Sequence, residues 1–194
     1  ATPLRWLASL VVVLVGPLPA LAAGLSCAGQ INCSETSSFV AMLSDFRTSV
    51  AGNDRVATAT MRFQNKLNKP LILGYVTGSG VVTDDKGNRY VPGPDSVRGI
   101  GAVAGSNVDA KFTLEPGEAS DARFEFTWKA SKATLGTTYE LDLTVQEFEA
   151  LAGGQYKPGR ERVLQFTNAG QKAATTVAPA AAAVGVPTDP CAGL

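Results

Sequence analysis

Side chains in this chain change sides at every residue over several separate stretches, and that period of two restricts the fold more than any other feature. In 55–65, Ala57, Ala59, Met61 and Phe63 point one way, while Thr58, Thr60, Arg62 and Gln64 point the other. Ala122, Phe124, Phe126 and Trp128 repeat the pattern, and Tyr139, Leu141, Leu143 and Val145 do so again with Glu140, Asp142 and Thr144 opposite. A strand with one apolar face must bury it, and an antiparallel sheet lets the other face stay wet. Several such strands close a core by packing two sheets face to face.

The remaining strand candidates follow from the turns that bound them. Phe39 to Val50 carries Phe39, Ala41 and Leu43 on one face, with a short helix as the alternative reading. Ala51-Gly52-Asn53-Asp54 is a turn signal, as are 65–70 and Glu115-Pro116-Gly117-Glu118. Between them Leu71–Val76, Val81–Thr83, Arg89–Val91 and Lys111–Leu114 read as strands, and Arg162–Phe166 as the last one. Asp84-Asp85-Lys86-Gly87-Asn88 makes a tight hairpin connection. Pro92 to Asn107, rich in Gly, Pro and Ser, reads as a long loop. The expected architecture is all-β, an antiparallel sandwich of about 7–9 strands spanning 37–168.

The ends differ in character from this middle. Arg5, the apolar run Leu7–Val15 and the small residues of Ala20-Leu21-Ala22 form the three parts of a secretory signal peptide over 1–23. The alternative is an uncleaved anchor with its N-terminal helix retained, against which the run is short and followed by Pro17 and Pro19. Residues 24–36 read as a polar lead-in, and 169–194 as a flexible Ala/Pro-rich tail, with an Ala-rich helix as its alternative. Export implies a periplasmic or secreted protein in an oxidising compartment, where Cys27 and Cys33 close a short loop. A bridge from either of them to Cys191 is the other pairing.

Composition then excludes function classes. The chain has no histidine, so a Ser-His-Asp or Cys-His site cannot be built, nor an imidazole-based zinc or blue-copper centre. Its 17 basic and 17 acidic residues balance, which removes the electrostatic footprint of a nucleic-acid binder. Gly99-Ile100-Gly101-Ala102-Val103-Ala104 matches a dinucleotide fingerprint in form, but no strand and helix flank it, so it reads as a flexible loop. Gly78-Ser79-Gly80 lacks the outer residues of a nucleophile elbow and reads as a bend. Asp84, Asp85 and Asn88 are oxygen ligands too few and too close for calcium, which leaves a plain hairpin turn. Glu140 with Asp142, and Glu147 with Glu149, each share one strand face and read as solvated surface rather than as a glycosidase pair. No cofactor and no metal site is expected, and no enzymatic activity.

A resemblance is carried by Phe63-Gln64-Asn65-Lys66 through Lys69-Pro70, then Asp84 with Gly87-Asn88 and Tyr90, then Leu114-Glu115-Pro116-Gly117. In that order these residues resemble the F-x-N-K-x-x-K-P, D-x-x-G-N-x-Y and L-x-P-G signatures of exported bacterial immunoglobulin-like domains of unknown function. The match covers about 55–145; the Gly-rich stretch Val97–Gly105 and the C-terminal tail lie outside the pattern. What the resemblance implies is an immunoglobulin-like sandwich in an envelope or secreted protein. Such domains share no catalytic site, so no functional residue transfers.

The expected function is therefore binding or structural, with another envelope or secreted protein as partner, no nucleic acid, and membrane contact only if the N-terminal helix is retained. The long loop is the expected contact surface, with Asp95, Arg98 and Asn107 exposed on it and Tyr90 at its start. A carbohydrate-binding module is the alternative. It needs aromatic platforms, for which Tyr75, Tyr90 and Tyr156 are the surface candidates, because Phe124, Phe126 and Trp128 fall on the apolar face.

Overall fold

Twelve strands and one 3₁₀ turn make up the described part of the chain, residues 24–129 and 134–170, in a computed structural model. The expected signal peptide, most of the tail and Cys191 lie outside the described residues. The strands are β1 (Cys33–Glu35), β2 (Phe39–Ala51), β3 (Asp54–Asn65), β4 (Leu71–Val76), β5 (Val81–Asp84) and β6 (Arg89–Arg98). They continue with β7 (Gly101–Ala104), β8 (Asn107–Val108), β9 (Thr113–Leu114), β10 (Ala119–Trp128), β11 (Tyr139–Ala150) and β12 (Tyr156–Ala169). The fold is all-β, mostly antiparallel and sandwich-like. No described residue is α-helical, so Phe39–Val50 is strand and not helix.

One layer runs β1-β2-β3-β10-β6. In the other, β11 pairs with β12 along one edge and with β4 and β5 in succession along the other. The second layer is extended by β7, parallel to β4, by the β7–β8 hairpin and by β9. The alternating faces predicted from sequence meet between the layers. Ala57, Ala59, Met61, Phe63, Ala122, Phe124 and Phe126 from one side pack against Leu73, Tyr75, Leu141, Leu143 and Val145 from the other. Each large apolar side chain buried here contributes about 1.5–3 kcal/mol relative to exposure.

Two bulges keep this core continuous where strict alternation would break it. In β2, Leu43 pairs with Met61 but Asp45 pairs with Thr60, so Ser44 is the extra residue, and its hydroxyl donates to the Thr60 carbonyl at 3.0 Å. The added residue reverses parity, which turns Phe46 inward onto Tyr139, 5.4 Å between ring centroids. In β12, Asn168 adopts a positive φ of 57° where the register slips, and Ala169 joins Leu164 and Phe166 in the core.

The motif residues of the resemblance prove to be the ties between turns. Asn65 is buried, and its Nδ2 donates to the carbonyls of Lys69 at 2.8 Å and Leu114 at 2.9 Å, while its Oδ1 accepts from Leu67 N–H at 2.8 Å. One side chain thereby holds the β3–β4 connection against the strand before the Glu115–Glu118 turn. At the N-terminus Cys27 and Cys33 form the expected disulfide. The lead-in is not structureless, because β1 pairs with Val40–Met42 of β2.

The Pro92–Asn107 segment departs most from expectation. Its composition is that of a loop, yet it contains the rest of β6, all of β7 and the start of β8. Its glycines serve close approach: a Cβ on Gly101 would collide with the Asp109 backbone carbonyl, so only glycine lets β7 lie there beside β4. Likewise Lys111–Leu114 shortens to β9, and the last strand lengthens to Tyr156–Ala169.

Candidate functional site

β6 belongs to both layers. Its start pairs with β5, Tyr90 opposite Val82 and Arg89 opposite Thr83. The rest pairs with β10, Val91 opposite Thr127, Pro92 opposite Phe126, then Val97 opposite Phe124 and Arg98 opposite Arg123. Between the two registers Gly93, Pro94, Asp95 and Ser96 stand opposite Glu125 alone. A strand that changes sheets needs such a bulge to bend. Pro94 cannot donate to a ladder, and Asp95 sits at a φ of 60°, a region that disfavours a non-glycine residue. The Ser96 hydroxyl donates to the Gly93 carbonyl at 2.7 Å and closes the turn.

The bulge separates two cavities. One, of about 180 Å³, is lined by Asp95, Ser96, Arg98, Arg123, Glu125 and Thr127 among others. The other, of about 370 Å³, lies towards Tyr75, Thr77, Pro92, Val97 and Ala102, with Asp95 and Ser96 again on its wall. Arg98 and Arg123 are directly opposite each other on antiparallel strands, and so share a face. Among the described residues neither they nor Asp95 and Glu125 belong to an ion pair. The surface thus offers unengaged donors and acceptors of both signs.

Two of the sequence-predicted residues, Asp95 and Arg98, therefore meet at one site and are exposed as expected. Asn107 is exposed too, but it pairs with Ala104 at the tip of the β7–β8 hairpin and lines neither cavity. Tyr90 is corrected: it is 1 % exposed and lies in the core. Tyr75, the second platform candidate, is buried as well, its hydroxyl accepting from Gly80 N–H at 2.9 Å. Both sit beside turns in sequence, yet on the inward parity of their strands, and burial follows parity. Tyr156 stays at the surface.

Behind Tyr90 lies an arrangement that local spacing presents as an ordinary hairpin turn. The Asp84 carboxylate is buried and accepts Lys86 N–H and Asn88 N–H at Oδ1, both at 3.0 Å. Its Oδ2 accepts Asn88 Nδ2 at 2.8 Å, Gly136 N–H at 2.9 Å and the Tyr90 hydroxyl at 3.4 Å. Burial pushes the Asp84 pKa up, but the hydrogen bonds from Asn88, Gly136 and Lys86 outweigh it and hold the pKa below the ordinary value. Asp85 is held low mainly by Thr137 N–H. Burial, and then the nearby Tyr139 and Asp84, raise the Tyr90 phenol above its usual range. The D-x-x-G-N-x-Y motif is thus a structural carboxylate and its donors, clamping the β5–β6 hairpin to the segment before β11. Among the described residues no group of three or more acidic, Cys or His side chains is placed to hold a metal ion.

Two further surfaces have no signal in the sequence. β12, 14 residues long, pairs only with β11 among the described strands, so its other edge has no strand partner among them. A third cavity, of about 240 Å³, lies under the tip of the β2–β3 hairpin, with Arg55, Tyr90 and Tyr139 in its wall.

No family model matches the chain, and no curated protein matches it. Solved structures give distant likenesses. One is a structural-genomics target, Northeast Structural Genomics Consortium target SoR45, at 10 % identity and a TM-score of 0.38, covering 67 % of this chain and 86 % of that one. Another is an uncharacterized β-sandwich protein from Clostridium difficile 630, at 8 % identity and 0.35, covering 71 % and 91 %. A third is an ASH/PapD-like domain of human CEP192, at 11 % identity and 0.28, covering 84 % and 93 %. With TM-scores this low, the architecture is assigned from the chain's own strand pairing.

Proposed function

We propose that this chain is an exported, non-catalytic immunoglobulin-like binding module that contacts another envelope or secreted protein through the β6 bulge. The observation that carries the reading is the bulge itself. A left-handed Asp95 next to Pro94 is a conformation that costs stability, held at an exposed corner and flanked by cavities with unengaged charged groups. Backbone of this kind concentrates at functional sites. Delivery to an oxidising compartment is supported by the N-terminal pattern and by the Cys27–Cys33 disulfide.

Asp95→Gly separates function from folding. Glycine is at ease at positive φ, so the variant keeps or slightly raises the thermal midpoint while losing the carboxylate. Proteins retained from a native envelope extract by the immobilised wild-type chain, and identified by mass spectrometry, should be retained at least tenfold less by Asp95→Gly combined with Arg98→Ala. Equal retention would refute the bulge as the contact surface.

A second reading rests on β12. An edge without a strand partner among the described residues can take up an extended segment of a partner, with main-chain hydrogen bonds supplying affinity. Val163 is 65 % exposed on this strand. Val163→Pro removes one edge N–H; loss of retention in that variant, with Asp95→Gly unaffected, would move the interface from the bulge to the edge.

A further inference from the structure

We propose that the cavity under the β2–β3 hairpin tip is a binding site for a small carboxylate with an apolar, ring-sized body. This goes beyond the partner contact at the bulge, with which the cavity shares no lining residue. Its walls come from four strands and the segment before β11: Thr48 and Val50, Arg55 and Val56, Tyr90, Leu135 and Tyr139. The two tyrosines present ring rather than hydroxyl as their unengaged part. The Tyr90 hydroxyl donates to Asp84 and the Tyr139 hydroxyl donates to the Gly136 carbonyl at 3.0 Å. Val50 and Leu135 add exposed apolar surface, 60 % and 38 %.

Arg55 breaks this apolar character. Its Nε is buried without a hydrogen-bond partner, and Arg55 belongs to no ion pair among the described residues. That Nε is closed off from the cavity, so it is the rest of the guanidinium in the wall, charged and without an ion-pair partner among the described residues, that is left for an anionic ligand. Its two Nη–H groups form a planar fork that matches the two oxygens of a carboxylate. Cavity size sets the body: about 150 Å³ accommodates benzene in a protein interior, so about 240 Å³ takes a ring and a one-carbon carboxylate arm.

Phenylacetate is therefore the probe, with phenylacetamide as its uncharged isostere and acetate as the head without the body, all at one ionic strength. Trp128 reports occupancy through its fluorescence, because its ring centroid lies 5.7 Å from that of Tyr90; Trp128→Phe is the control that silences the signal. The full chain should bind phenylacetate with a Kd below about 1 mM, as about ten non-hydrogen atoms allow, and bind phenylacetamide and acetate at least tenfold more weakly. Arg55→Gln should erase the preference for acid over amide. Arg55→Lys, which keeps the charge without the fork, should weaken phenylacetate at least threefold; it is the deciding variant if Arg55→Gln fails to fold. Equal binding of acid and amide to the wild type, no binding at 10 mM (about ten times that limit), or an unchanged preference in Arg55→Gln would each overturn the site.

Discussion

Replacing Asp84 by asparagine isolates the carboxylate clamp. The substitution preserves shape and removes charge, so the core around Tyr90 is not emptied. With the amide oxygen at the Oδ1 position, the bonds from Lys86 and Asn88 N–H survive. The NH₂ then faces Gly136 N–H and Asn88 Nδ2, donor against donor, where 2.9 Å and 2.8 Å bonds existed. Two hydrogen bonds to a charged acceptor at about 1.5–3 kcal/mol each, partly relieved by water at the hairpin, give a loss of about 3 kcal/mol. That is a large share of the roughly 5–15 kcal/mol that holds a domain of this kind together. Urea unfolding at pH 7, followed through Trp128 fluorescence, measures it from the midpoint at constant slope. The pH dependence supplies an independent check. The folded pKa of Asp84 lies below the ordinary carboxylate value, so its stabilisation is complete above the unfolded pKa of about 3.9 and is lost as pH falls through the folded pKa. The gap between wild type and Asp84→Asn should therefore narrow on going from pH 5 to pH 2. A gap under about 1 kcal/mol at pH 7, or one that does not change with acid, refutes the clamp.

Other substitutions test other ties. Asn65→Ala removes the acceptor of Leu67 N–H and the donor to Lys69 and Leu114; it should cost about 2–3 kcal/mol in urea unfolding. Gly101→Ala drives a methyl into the Asp109 carbonyl and should cost about 1–3 kcal/mol, with amide exchange rising first in β7 and β8. Reducing Cys27–Cys33, or replacing both by serine, opens a loop of sequence separation 6 and should cost about 2 kcal/mol while leaving the core strands protected from exchange.

How much of this is legible in the sequence depends on whether a strand keeps its parity. β3, β10 and β11 alternate without interruption over their core residues, and their inward faces are legible down to Phe63, Phe126 and Val145. β2 is legible only to Leu43, because the Ser44 bulge moves Phe46 onto the face its number denies it. β12 reads short because an edge strand with both faces wet over 156–161 has no apolar period to detect. Gly and Pro hide β6 and β7, since composition cannot tell a flexible glycine from one required by a neighbour's backbone. Of the contact residues, Asp95 and Arg98 are exposed as their surroundings imply, whereas nearness to a turn misplaces Tyr90. The Asp84 clamp and the Arg55 cavity depend on partners such as Gly136, 52 residues away, that no local spacing reveals.

The central structural claim is that β6 crosses between the layers, with the Gly93–Ser96 bulge at the crossing. Cross-strand nuclear Overhauser contacts of the folded chain test it directly. Tyr90 should show its contact to Val82, and Val91 its contact to Thr127, in the same molecule. Finding only one of these contacts, or a regular ladder running unbroken from Val91 to Arg98 along β10, would contradict it.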